Sequence, residues 1–84
     1  MKVSYSPSFV RQCRALPADL QEEILEKIEL FKKGDHKFLK VHKLHGRLSG
    51  RHSFSVNFKY RILFTYISKQ EACFLVIGDH AVYK

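Results

Sequence analysis

Residues 53–67 read SFSVNFKYRILFTYI, and this stretch decides the fold. In its first part Phe54, Val56 and Phe58 alternate with Ser53, Ser55 and Asn57, the period of a strand with one face in a core and one face open. A tight turn at Asn57, Phe58 and Lys59 leads into YRILFTYI, an aromatic and β-branched run that reads as a second strand. After Ser68-Lys69-Gln70-Glu71 the run CFLVI, residues 73–77, supplies a third. Connections this short make an antiparallel meander. If Ile62, Phe64 and Tyr66 turn toward a core, Arg61 and Thr65 emerge on the open side beside Ser53 and Ser55. A guanidinium then stands in the middle of a polar sheet face.

Working back toward the N-terminus, the apolar period changes from two to helical. Lys2–Tyr5 reads as a strand, and Ser6-Pro7 starts a helix, the hydroxyl capping amides while proline takes the first turn. Phe9, Cys13 and Leu16 form its stripe. Pro17 restarts the pattern with Leu20, Ile24, Ile28 and Phe31 in line and Leu25 widening the stripe, and Lys32, Lys33 and Gly34 close it. Asp19, Glu22, Glu23, Glu26 and Glu29 make this second helix acidic outside. The sequence therefore predicts an α+β fold: an N-terminal strand, a helical hairpin and a three-stranded antiparallel meander, with the helices packed on one face of the sheet.

A chain of 84 residues makes a single domain spanning residues 1–84, and 45% hydrophobic content suffices for its core. No run approaches the roughly 18–20 apolar residues that span a bilayer, and MKVSYSPSF holds no signal-peptide core, so a cytoplasmic protein without membrane contact is expected. Cys13 and Cys73 have no second pair and read as small core hydrophobes. His42 and His45 are spaced i, i+3 but lack a nearby thiol or carboxylate, so neither metal nor cofactor is expected.

The net charge is +7, and its placement is informative. Between His36 and Gln70 stand Lys37, Lys40, Lys43, Arg47, Arg51, Lys59, Arg61 and Lys69 without one acid. A basic block interleaved with histidines and aromatics suits a phosphate-binding surface and would also attract an acidic protein. The bland alternative is a solvated face that keeps a small protein soluble.

The succession HKLHGRLSG (residues 42–50), SFSVNFKYRILF (53–64) and IGDHAVY (77–83) resembles the RelE/ParE toxin superfamily, in particular its RelE/StbE and YafQ-like members. No single element is specific; their order along the whole chain carries the likeness. The resemblance implies a toxin of a type II toxin–antitoxin system, a ribosome-dependent mRNA endonuclease that enters the ribosomal A site and cuts the codon by metal-free attack of the 2′-hydroxyl. The alternative within the same fold is a ParE-like non-catalytic toxin that poisons DNA gyrase. A third reading is a nucleic-acid-binding accessory protein without toxicity.

Such cleavage needs a base for the 2′-hydroxyl proton, a cation for the charge on the phosphorane and an acid for the departing oxygen. By resemblance Arg61 falls at the phosphate-stabilising arginine, His80 at a C-terminal histidine, Tyr83 at the aromatic that stacks or orients substrate, and His42 where YafQ-like members carry a histidine. Ser55 stands where a YafQ-like member has another histidine, which removes one candidate base. Lys43, Arg47, Arg51 and Lys59 read as RNA-backbone contacts, which position RNA without choosing its sequence. The implied partners are an acidic antitoxin that folds on binding, the ribosome with its mRNA, and operator DNA only through the antitoxin complex.

Overall fold

The computed structural model describes residues 1–79 and Val82, with Phe38 described by its backbone alone. In chain order the elements are β1 (Lys2–Tyr5), α1 (Pro7–Arg14), α2 (Ala18–Lys32), β2 (His42–Lys43), β3 (His52–Ser55), β4 (Arg61–Ser68) and β5 (Glu71–Gly78). Short 3-10 turns stand at His36–Phe38 and Gly46–Leu48. The α+β class is the one the patterns predict, but the sheet has five strands in the order β1-β5-β4-β3-β2. β1 runs parallel to β5, and the other pairs are antiparallel. Neither addition has a local signature: β2 is too short to show a period, and the β1 pairing joins Lys2 to Glu71.

Both helices begin and end for the reasons their residues supply. The Ser6 hydroxyl accepts the Phe9 amide at 3.0 Å and donates to the Leu75 carbonyl at 2.6 Å, so one side chain caps α1 and ties it to β5. Gly34 follows α2 with φ of +81°, a left-handed turn that a side chain would strain. The hairpin packs Phe9, Ile24, Ile28 and Phe31 against Phe54, Ile62, Phe64 and Phe74 of the sheet. Phe31 is central, with the Phe54, Phe64 and Phe74 rings centred 5.0–5.2 Å away. Truncating it to alanine would cost about 3–5 kcal/mol, a large share of the stability of a small domain. Leu25 does not widen the stripe: it is 62% exposed.

A bulge interrupts β5. Leu63 pairs with Val76 and Phe64 with Phe74, so Leu75 and Val76 together oppose one residue of β4. Ala72, Phe74 and Ile77 are consequently all buried, although the last two are three residues apart. α1 satisfies the backbone here: Ser6 takes the Leu75 carbonyl, and Gln12 Oε1 accepts the Ile77 amide at 2.8 Å.

Three expectations for the sheet faces change. Phe58 is 90% exposed rather than inward, because β3 ends at Ser55. Asn57 Oδ1 then accepts the Lys59 and Tyr60 amides at 2.9 and 2.8 Å, and this turn breaks the alternation before Phe58 is reached. Tyr66 packs edge-on against Phe64 but stands at the rim, 36% exposed. Ser53 is fully buried, its hydroxyl against His42, and Leu63 is buried on the same face. That face is therefore half apolar, with Leu48, Leu63, Leu75 and Val82 lining one hollow and Thr65 donating to the Gly50 carbonyl at 3.1 Å. Its other half, around Arg61, stays polar. Cys13 packs against the core, whereas Cys73, opposite Thr65 in the register, is half-buried on the far face.

Candidate functional site

Arg61 opens β4 on the face away from the helices, opposite Ser55 on one side and Gly78 on the other. Its Nη1 donates to Ser55 Oγ at 2.6 Å and to the Asn57 carbonyl at 3.0 Å, which fixes the plane of a half-buried guanidinium. Among the described residues Arg61 has no carboxylate partner. Lys27 from α2, Lys40, Ser55, Asn57, Phe58 and Arg61 line a pocket of about 240 Å³. Three cations on one pocket favour an anion.

His42 lies on the same face. It pairs with Ser53 across β2 and β3, with Nε2 3.2 Å from Ser53 Oγ and Nδ1 3.0 Å from the Lys40 carbonyl. A carbonyl only accepts, so Nδ1 carries the hydrogen and Nε2 is the basic nitrogen of the neutral ring. Lys40 adopts φ of +53°, a left-handed conformation unusual for lysine. The same residue that lends its side chain to the pocket thus lends its carbonyl to the histidine.

The other predicted residues disperse. Lys43 pairs with His52, whose ring stacks on Phe64 at 5.5 Å, so Lys43 stands on the opposite face from His42. Burial, with a smaller contribution from Lys43, lowers the His52 pKa and favours its neutral form. Arg47 is exposed in the second 3-10 turn, and Arg51 borders the apolar hollow. Lys59 is exposed in the β3–β4 turn with Nζ 5.5 Å from the Tyr60 ring centre. His80 and Tyr83 lie outside the described residues. Val82, between them in the chain, sits over Gly78: a Cβ at Gly78 would come within 2.6 Å of Val82 Cγ1.

Sequence reasoning missed Lys27, Lys40 and Phe58 as neighbours of Arg61. Phe58 was legible in principle, because the turn signal of Asn57 outranks an alternation that has to cross it. Lys27 had no signal, since only the packing of α2 under the turn brings it there, where Asn57 Nδ2 donates to Glu23 Oε1 at 2.6 Å.

No helix among the described residues is long and apolar enough to cross a membrane. No protein-family model matches the chain, and no curated protein matches it in sequence. Solved structures do match over nearly its whole length. YafQ from E. coli strain BL21(DE3) superposes with a TM-score of 0.78 at 14% identity, covering 98% of this chain and 96% of that one. The YoeB/ParE toxin from Agrobacterium tumefaciens gives 0.76 at 21% identity, covering 95% and 99%. The toxin–antitoxin complex DinJ-YafQ of E. coli gives 0.75 at 15% identity, covering 96% and 93%. Over nearly its whole length this chain has the fold of these RelE/ParE-type toxins.

Proposed function

We propose that the protein is the toxin of a type II toxin–antitoxin pair and that it cuts mRNA held in the ribosomal A site. The observation that carries this reading is the setting of Arg61: a guanidinium held by Ser55 and Asn57, without a carboxylate partner among the described residues, beside Lys27 and Lys40. Such a group can stabilise the negative charge that builds on the phosphoryl oxygens when the 2′-hydroxyl attacks. His42 Nε2 on the same face would take the 2′-hydroxyl proton. His80 and Tyr83 are the proposed proton donor and substrate-orienting aromatic. Arg47, Arg51, Lys43 and Lys59 would steer RNA by charge from more distant positions. With so few proton-transfer groups near Arg61 among the described residues, alignment of the RNA falls to the ribosome, and cleavage should depend on translation.

The partner that neutralises the protein would be an acidic segment that orders on the basic block. The complexes among the structural neighbours, DinJ-YafQ and YoeB-YefM, support an antitoxin of some kind. The deciding experiment induces the protein in a bacterial host and maps reporter mRNA ends by primer extension, with Arg61→Ala as control. New ends within translated codons, absent in the variant, are expected. Growth arrest with double-strand DNA breaks and intact mRNA would transfer the assignment to a gyrase poison.

A further inference from the structure

Phe58 is the most exposed large apolar side chain of the described residues, at 90%. Turn tips favour Gly, Asn, Asp and Ser, and a phenylalanine there contributes nothing to the core. Lone exposed hydrophobes are ordinary, but the scaffold of this one is not loose. Asn57 binds the amides on the far side of the turn, the Tyr60 carbonyl accepts the Val56 amide at 3.0 Å, and Asn57 Nδ2 is tied to Glu23 on α2. The turn is therefore fixed to both sheet and hairpin. The ring it presents borders the pocket lined by Lys27, Lys40 and Arg61.

Resting on the RNA reading above, we propose that Phe58 is a stacking platform for a nucleobase whose neighbouring phosphate is held by Arg61, Lys40 and Lys27. A nucleotide is an anion joined to a flat aromatic base, and this corner offers cations beside a flat aromatic ring. The anion enters the pocket, and the base lies outside it against Phe58. An acidic peptide also satisfies the cations, but it carries its carboxylates and its rings on separate residues, whereas a nucleotide joins anion and flat ring in one unit. Stacking on an aromatic tolerates any base, so Phe58 contributes affinity and orientation rather than sequence choice. It is a positioning residue: no atom of it takes part in proton transfer.

The test uses ribosomes programmed with an mRNA whose A-site codon is 2′-O-methylated, which blocks attack, and carries 2-aminopurine at one position at a time. Stacking quenches 2-aminopurine. The wild-type protein should quench one codon position. Phe58→Leu, apolar but without a ring, should abolish the quench and weaken binding about five-fold or more, while Phe58→Trp retains both. Weaker binding of Phe58→Leu with no codon quench in the wild type would place the base in ribosomal RNA and still support stacking. Phe58→Leu that binds and quenches like the wild type overturns the proposal alone. A wild-type protein that does not bind programmed ribosomes overturns this proposal together with the RNA reading. Unchanged ribosome binding with lost antitoxin binding overturns it as well and makes Phe58 a protein contact. Because Phe58 is 90% exposed, the variants should fold as the wild type does, which thermal melting checks.

Discussion

Arg61 Nη1 donates to Ser55 Oγ at 2.6 Å, across the register that pairs the two residues on neighbouring strands. The bond fixes one edge of the guanidinium and leaves the rest of the group for a ligand. Arg61→Ala should lower mRNA cleavage by about 10²-fold or more, the scale for removing one charge-stabilising donor, without unfolding the protein. Arg61→Lys should not restore it, because an ammonium cannot reproduce the fixed fork. Single-turnover cleavage of ribosome-bound mRNA measures both, and a folded Arg61→Ala protein that cuts at the wild-type rate would refute the assignment.

His42 is expected to act through Nε2, which carries no hydrogen once Nδ1 donates to the Lys40 carbonyl and which rests 3.2 Å from the Ser53 hydroxyl. His42→Gln should slow the chemical step by about 10²-fold or more, within the range for loss of a general base, while ribosome binding is little changed. His80→Gln and Tyr83→Phe should give smaller, separable losses. A normal single-turnover rate for His42→Gln would remove it from the mechanism.

The His52 ring, packed between Phe64 and Tyr66, makes stability depend on acidity. Its folded pKa is lowered below 6.5 by burial and then by Lys43, so the unfolded chain binds the proton more readily. Its contribution is thus fully present above the unfolded value and is lost as pH falls from there through the folded pKa. Thermal melts of the wild type should weaken on acidification below pH 6.5. His52→Phe should flatten that part of the curve, and equal slopes for the two proteins would exclude the effect.

Gly78 is not among the glycines with positive φ, so its role is space: it makes room for Val82. Gly78→Ala should push Val82 away from β5, and Val82 is a chain neighbour of the proposed His80 and Tyr83. We expect cleavage reduced by about ten-fold or more with a melting temperature changed by only a few degrees, because misplacement of reacting groups costs rate more than stability. Retained activity would mean that the position of this segment is unimportant.

An antitoxin steered by the basic block should associate more slowly as salt rises, because charge pairing acts chiefly on the encounter rate. Stopped-flow association across a salt series tests this, and an on-rate indifferent to ionic strength would show that the block is not what the partner reads.

The helices were legible in the sequence because each carries its own start, stripe and stop: Ser6 and Gly34 function as their chemistry predicts. Arg61 was placed on the correct face because alternation along β4 holds from Arg61 to Thr65. Where the reading failed, a non-local or one-residue event intervened. The bulge at Leu75 and Val76 shifts the period of β5, and Asn57 ends the period of β3. β1 beside β5 depends on residues at opposite ends of the described chain. Lys27 and Lys40 join Arg61 only through packing and one left-handed backbone turn.

The parallel pairing of β1 with β5 also sets an order in time. Until residues 71–74 have been synthesised, β1 has no neighbour, the β4 edge that β5 will occupy is bare, and neither Ser6 nor Gln12 has its bulge to bind. A nascent chain that stops at Gln70 already holds Arg61, Ser55 and His42, and every cation from Lys37 to Lys69. It lacks Phe74 and the strand that Ser6 and Gln12 bind, so the hairpin has only Phe54, Ile62 and Phe64 to pack against. Such a fragment presents an unpaired edge and uncovered aromatic rings, which makes it a substrate for chaperones and proteases before it can be a finished protein.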